Sequence, residues 1–440
     1  MIPRPPLPPG PFLVVGLARS GIAAALTLRA RGGEVAGCDS GEVSEDARRE
    51  LEAAGVAVHA PAEGVDLLPS TSTIVKSPGV PQQAPVIAAG RRQGLRVVGE
   101  VEIGWRLLPN EFIAVTGSNG KTTTAELIGH VHREAGRPVA VAGNVGTAIT
   151  SLPGRLEPEA VLVCEVSSFQ LEDSEAFAPE ASVLLNLAED HLDRHGSFDA
   201  YRAAKLEAFA RQPAEAIAVA PADLAADLPG EAARVTFGDG GDVEHRDGRL
   251  LWRGRPLLGA AEIRLRGAHN RDNAMAAAAV CLGRGVEAEA VVTGLRTFAG
   301  VPHRMEEIAR IGGVLYVNDS KATNVASAVV AIESFPAGTV HAILGGRPKG
   351  GDFGPLANAL AQHGRAAYLI GDAAAAMADA LAPAGIPLHD CGDLERAVAA
   401  ARTAARPGDV VLLSPAVASY DQYRSFEERG AHFRRLVEGG

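Results

Sequence analysis

The sequence predicts an α/β protein of three domains, each built on parallel strands with helices between them. Three observations predict this. Short apolar runs ending in polar residues alternate with helical runs; the alternation restarts twice; and 440 residues exceed the size at which one core usually stops growing. Boundaries are placed near residues 105 and 300, giving segments 1–105, 106–300 and 301–440.

The first segment opens with "FLVVGLARSG", a strand followed by a turn. "IAAALTLRARG" reads as a helix closed by Gly32, and "EVAGCD" as a second strand. A helix around "SEDARRELEAAG" and a strand at "STIVKSPGV" follow, and "LRVVGEVEIGWRLLPN" leads to the second series at Phe112. There, "FIAVTGSNGKTTTAELIGHV" is a strand, a tight glycine turn and a helix. "AVLVCEVSSFQL" and "ASVLLNLAEDH" read as buried strands ending in polar residues. The third series begins near "RMEEIARIGGVLYVNDSKATN" and continues with strands at "GTVHAILGG", "AAYLIG" and "DVVLLSPA". This spacing predicts parallel, doubly wound sheets, Rossmann-like in the first and third domains.

Composition narrows the function. Apolar content of 47% and charged content of 22% exclude a mainly disordered chain. A formal charge of −11 argues against a nucleic-acid partner, whose footprint would be basic. Cys38, Cys164, Cys281 and Cys391 lie far apart with no C-x-x-C pair, so neither a zinc knuckle nor a disulfide framework is expected. The Pro-rich start "MIPRPPLPPGP" lacks the apolar stretch of a signal peptide, and no apolar run is long enough to cross a bilayer. The expectation is a cytoplasmic protein without a membrane partner.

The turn "GLARSG" opens the first helix, where a dinucleotide site would want G-x-G-x-x-G. Ala18 stands in place of the middle glycine, and Asp39 closes the second strand where an acid would meet a ribose. A nucleotide of another kind at these strand edges ranks first, a plain strand–helix connection second and an NAD site last.

The second turn departs from the strict phosphate-loop pattern G-x-x-x-x-G-K-[ST], because Val115 stands where the first glycine belongs. Its physics survives. Backbone N–H groups of Gly117, Ser118, Asn119, Gly120 and Lys121 can converge on phosphate oxygens at a helix N-terminus. Lys121 can reach the β- and γ-phosphates, and Thr122, followed by Thr123, can offer its hydroxyl to Mg²⁺. The central domain is therefore predicted to be of P-loop ATPase type. A Gly-Lys turn without a ligand is the minor alternative.

"TGSNGKTT" resembles the ATP loop of the Mur ligases, ATP-dependent amide ligases of peptidoglycan precursor synthesis. "EVSSFQLE", "NLAEDHLDRH", "YRAAK", "GAHNRDN", "PHRME" and "NDSKATN" follow in the family's order, and the resemblance covers nearly the whole chain. It is loosest over the first third, beyond "GLARSG" and "KSPGV". "NDSKATN" and "LSPAVASYDQYRSFEERG" are similar to the branch that adds D-glutamate to UDP-N-acetylmuramoyl-L-alanine.

The resemblance implies roles residue by residue. ATP would meet Gly117 to Thr123, Asn270, Arg304, Asp319 and Lys321. Mg²⁺ would be held by Thr122, Glu165, His191 and a carbamylated Lys205, with Lys121, Glu165, His191 and Lys205 serving catalysis. The uridine diphosphate substrate would meet Ser20, Asp39, Ser77, Gly79 and Asn144. D-Glutamate would meet Thr323, Lys349, Ser419 and the backbone around Phe426. The third domain is expected to close over ATP, and the chain to act as a monomer.

The residues alone support blander roles as well. Glu165 could be a surface acid, although an acid ending "VLVCE" falls at the carboxyl edge where ligands collect. His191 could be structural, Lys205 a solvated helix lysine, Asn144 a turn residue, and Asn270 and Asn273 helix caps. Lys349 could be a loop lysine and Ser419 a simple cap. Three other functions compete. These are an amide ligase for another amino acid, a nicotinamide oxidoreductase suggested by "GLARSG" with Asp39, and a P-loop switch, in which "NDSKATN" and "SPAVAS" would have no task.

Overall fold

In a computed structural model, the structure describes residues 2–265, 267–348 and 352–439. The chain forms two compact units, Met1–Phe298 and Ala299–Gly440.

The first unit carries two sheets. The first has strands β1 (Phe12–Val15), β2 (Val35–Cys38), β3 (Ala57–His59), β4 (Thr73–Lys76) and β5 (Arg96–Gly99). Its order is β3-β2-β1-β4-β5, with every pair parallel. The order reverses between β1 and β4, which opens a crevice at their carboxyl ends. Gly21, in the helix Arg19–Ala30, packs so closely on the first turn that a Cβ there would collide with the Gly16 carbonyl.

The second sheet has nine strands: β6 (Glu111–Thr116), β7 (Val139–Gly143), β8 (Val161–Glu165), β9 (Ala181–Leu184), β10 (Ile217–Pro221), β11 (Ala233–Phe237), β12 (Val243–Arg246), β13 (Arg249–Trp252) and β14 (Arg255–Gly259). Its order is β14-β13-β12-β11-β10-β9-β6-β8-β7. The part from β11 to β7 is parallel, as expected, while β12, β13 and β14 pair antiparallel. That antiparallel edge departs from the expected all-parallel sheet. Asp247 and Arg253 adopt positive φ in its tight turns, each just before a glycine.

Buried polar groups rivet the two sheets of this unit. The Glu102 carboxylate accepts the N–H groups of Glu175 (3.2 Å), Ala176 (3.0 Å) and Phe177 (2.9 Å), and pairs with Arg106 at 2.7 Å. Lys76, ending β4, forms a buried ion pair of 2.9 Å with Asp173. Trp105 packs edge-on to Phe177, with ring centres 6.0 Å apart.

The second unit has β15 (Glu306–Ile311), β16 (Val314–Asn318), β17 (Val340–Gly345), β18 (Gly364–Ile370), β19 (Leu388–Gly392) and β20 (Val410–Leu413). Their order is β15-β16-β20-β17-β18-β19, parallel except for the β15–β16 hairpin. Apolar clusters around Leu344 and Leu412, and around Ile343 and Phe433, cover its two faces. Among the described residues, no helix is long and apolar enough to cross a membrane.

Candidate active site

The phosphate-type loop follows β6, the strand between β8 and β9. Gly117 (φ +147°) and Gly120 (φ +85°) occupy backbone conformations that favour glycine, and a Cβ at Gly120 would strike the Asn273 side chain. Asn186, just beyond β9, braces the loop: its Oδ1 accepts the Asn119 N–H at 2.9 Å, and its carbonyl accepts the Ser118 N–H at 3.1 Å. The Ser118 hydroxyl lies 2.9 Å from the Tyr201 hydroxyl and donates to the Ala188 carbonyl. These bonds fix the loop at the N-terminus of the helix Lys121–Glu134, whose first-turn residues Thr122 and Thr123 are buried.

Two lysines converge on one oxygen. Lys121 Nζ donates to the carbonyls of Gly117 (2.8 Å) and Ser118 (2.9 Å), and Lys205 Nζ donates to Gly117 at 2.8 Å. Lys205 is only 2% exposed, and its ammonium lies 4.4 Å from the Tyr201 ring centre. Burial, and then the neighbouring Lys121 charge, pull its pKa down to about 7. The solvated-lysine alternative therefore fails.

Glu165 ends β8 and is 4% exposed. Its Oε1 accepts from Asn144 Nδ2 at 3.1 Å, and its carbonyl accepts the Asn144 N–H at 2.8 Å. A carboxylate can accept about four hydrogen bonds, so this buried acid retains capacity for a hard cation. Among the described residues, no group of three or more His, Cys, Asp and Glu side chains is gathered as a metal cluster. The oxygen donors Thr122 and Glu165 nevertheless fit Mg²⁺, which keeps several waters and uses few protein ligands.

His191 caps the short helix Leu192–His195 with φ +53° and leans on the Phe169 ring, 4.8 Å between centres. His195 bonds Glu172 at 3.0 Å and the Ser168 hydroxyl at 2.9 Å. Burial lowers its pKa. Asn270 accepts from Asn273 Nδ2 at 3.1 Å inside the helix Ala268–Gly283. Its cap is Gly267, so the expectation that Asn270 or Asn273 caps this helix is corrected.

The structure brings Ser20, Asp39, Ser77, Gly79 and Asn144 together around one cavity of about 700 Å³, at the carboxyl ends of β1, β2 and β4. Asp39 accepts the N–H groups of Leu17 (2.7 Å) and Gly41 (2.9 Å), and the Ser77 hydroxyl donates to Gly16 at 2.6 Å. Both therefore shape the first turn as well as line the cavity. Asn144 lines this cavity and holds Glu165, joining it to the loop region.

In the second unit, Asp319 is 5% exposed and accepts from Ser414 Oγ (2.8 Å) and the Met305 N–H (3.2 Å). Burial raises its pKa to about 6, and the Arg304 and Lys321 charges oppose that rise. The Thr323 N–H donates to Lys321, Ser419 is buried, and the Phe426 carbonyl accepts from Ser320 Oγ at 2.8 Å. Lys349 lies outside the described residues.

Asn186 and Tyr201, which brace the loop, Gln170, which lines the large cavity, and Arg194, which donates to the Pro78 and Val80 carbonyls, were not singled out individually by the sequence. Tyr201 carried a signal, since four residues before Lys205 is the same helix face. Asn186 carried another, as a polar residue just past a buried strand.

Comparison with known proteins agrees across the chain. Residues 11–99 match the Mur ligase MurD-like N-terminal domain, residues 115–281 the Mur ligase middle domain, and residues 303–417 the Mur ligase glutamate ligase domain. The chain is 42% identical to the UDP-N-acetylmuramoylalanine–D-glutamate ligase of Acidobacterium capsulatum, over 97% of this chain and 95% of that one. It is 40% identical to the enzyme of the same name from Solibacter usitatus, over 97% of both. In fold it is similar to the UDP-N-acetylmuramate-alanine ligase of Thermotoga maritima (TM-score 0.60, 19% identity, 97% and 99% of the two chains). It is also similar to the MurF ligase of that organism solved with ADP (TM-score 0.55, 20% identity, 93% and 90%). On this evidence of sequence, the chain belongs to the Mur ligase family.

Proposed function

We propose that this chain is an ATP-dependent ligase that joins D-glutamate to UDP-N-acetylmuramoyl-L-alanine in peptidoglycan precursor synthesis. The observation that carries this is the position of Asn144, which lines the large cavity and also donates to the buried Glu165. A substrate carboxylate presented from that cavity thus lies toward the loop that would hold ATP. The names of the similar ligases supply the amino acid and the nucleotide sugar.

In the proposed reaction a carboxylate oxygen of the substrate attacks the γ-phosphorus of ATP, and the bond to ADP breaks. The amine of D-glutamate then attacks the acyl phosphate carbon. The tetrahedral intermediate expels phosphate, and the amine proton leaves to a base or water. Each step moves negative charge, so fixed N–H groups and cations dominate the catalysis. The loop N–H groups other than those of Ser118 and Asn119, which Asn186 already holds, cradle the phosphates, so the cradle is narrower than the full run Gly117 to Lys121, and Lys121 neutralises the transferred group. Thr122 and Glu165, with His191 and Lys205, would hold Mg²⁺, which supplies positive charge at the phosphoryl oxygens. Asn270, Arg304, Asp319 and Lys321 are assigned to ATP. Thr323, Lys349, Ser419 and the backbone at Phe426 are assigned to the two carboxylates of D-glutamate. The proposed setting is the cytoplasm, with the chain acting as a monomer.

Phosphate release from ATP, measured with UDP-N-acetylmuramoyl-L-alanine and a panel of amino acids, tests the proposal. Release is expected with D-glutamate alone. Release with another amine would keep the ligase chemistry and overturn the specificity; no release with any amine would overturn both.

Carbamylation of Lys205 belongs to the same proposal. Only the neutral amine takes up CO₂. With a pKa near 7, the neutral fraction rises as pH climbs through 7, whereas an ordinary lysine stays charged to about 10. With ¹³C-bicarbonate at pH 8, one carbamate carbon resonance is expected in the wild type and none in Lys205→Arg. The resonance should fade toward pH 6. The same resonance in both proteins would refute the assignment.

A further inference from the structure

We propose that Arg194 is a positioning residue that sets the segment Ser77–Val80 for binding the diphosphate of the nucleotide sugar and ties that segment to His191. This rests on the ligase reading above. Arg194 follows His191 by one helical turn, yet its guanidinium reaches across to the first sheet of the same unit. It donates to the carbonyls of Pro78 (2.8 Å) and Val80 (2.8 Å), with Gly79 at 3.4 Å. Lys76 Nζ adds a bond of 3.1 Å to the Val80 carbonyl.

The consequence follows from peptide geometry. In a trans peptide the carbonyl and the next N–H point in opposite directions. With the Pro78 carbonyl held by Arg194, the Gly79 N–H is turned the other way. Pro78, Gly79 and Val80 all line the large cavity, and Arg194 is not among the residues lining it. Three carbonyl oxygens are thereby occupied by a cation behind the wall, where they cannot repel an anionic ligand in front of it. Gly79 has no side chain to resist rotation of that peptide, so the guanidinium supplies the restraint.

The same guanidinium lies 4.1 Å from the Phe169 ring centre. Phe169 contacts His191, 4.8 Å between centres, and stacks on His195 at 5.2 Å. The segment that walls the cavity and the histidine assigned to Mg²⁺ therefore share one rigid connection, made of Arg194 and Phe169.

Calorimetric titration with UDP-N-acetylmuramoyl-L-alanine, and separately with ADP, on wild type, Arg194→Met and Arg194→Lys tests this. Loss of charge-assisted bonds to the wall should weaken nucleotide-sugar binding about tenfold in Arg194→Met, with ADP affinity unchanged. Arg194→Lys keeps one donor nitrogen and the charge but loses the planar fork, so it should fall between. In steady state the KM for the nucleotide sugar should rise while that for ATP holds. Equal nucleotide-sugar affinity in wild type and Arg194→Met would overturn the inference, and so would equal weakening of both ligands, the mark of general loosening. Should the methionine variant fail to fold, the lysine variant decides alone by the same criteria. A wild-type protein that does not bind the nucleotide sugar at all would overturn the ligase reading and this inference together.

Discussion

Lys121→Met is expected to lower D-glutamate-dependent phosphate release by about three orders of magnitude while leaving the fold intact. Lys121 begins its helix and holds the carbonyls of Gly117 and Ser118. Its loss removes the cation that would neutralise the transferred phosphoryl group, a charge that grows in the transition state. The loop should survive, because Asn186 and Tyr201 brace it independently. One secondary effect follows from Lys205. Removing the Lys121 charge relieves one of the two causes that depress its pKa, so that pKa should rise from about 7. Single-turnover kinetics with the nucleotide sugar and D-glutamate in excess checks the main effect. A loss below tenfold would show that the loop N–H groups carry the charge without the lysine.

Arg429→Leu is expected to destabilise the second unit by about 3 kcal/mol, lowering its melting temperature by about 10 °C. Arg429 is 1% exposed. It donates to the Ser320 hydroxyl (3.0 Å) and carbonyl (3.0 Å), to Gly345 at 3.3 Å, and to Val417 and Ala418 at 3.5 Å. These acceptors lie at the end of β17 and in the segments after β16 and β20, and those two segments also carry Asp319, Lys321, Thr323 and Ser419. Burial lowers the arginine's pKa to about 10, so it stays charged at neutral pH and the carbonyl oxygens offset its desolvation. Leucine would fill part of the volume and take the guanidinium donors from the Ser320, Gly345 and Val417 carbonyls, while Ala418 would keep the Arg347 N–H at 2.8 Å. Thermal unfolding followed by circular dichroism measures the effect. A shift under 2 °C would mean that water replaces the guanidinium freely.

Much of this molecule was legible because parallel strands buried on both faces are continuous apolar runs. "FLVV", "VLVCE" and "VVLL" stood out for that reason and became β1, β8 and β20. Most of the missed strands lack that burial, although β10, buried along most of its length, was missed as well. β3 and β19 lie at sheet edges, and their residues are mostly half-buried or exposed, so neither forms an apolar run. The β12–β14 edge was missed as well, although Asp247-Gly248 between alternating residues is a hairpin signal.

The candidate site divides in the same way. Backbone chemistry at the loop could be read directly, since glycine spacing, a lysine and threonines at a strand–helix junction define a phosphate cradle locally. Lys205 could not. Its charge state depends on packing against Gly117, which lies 88 residues away in sequence. Arg194 and Arg429 were equally silent, because their partners are backbone carbonyls and any residue has one.

The sequence by itself determined the repeated strand–helix alternation, the phosphate-type loop and the family. Those features are local, set by burial periodicity and by the few residues that tolerate a tight turn. Only the tertiary structure decided which cations are buried, which acids keep acceptor capacity, and that Asn144 joins the cavity to Glu165. Desolvation and hydrogen-bond partnership arise from residues that meet after folding, and no spacing along the chain encodes them.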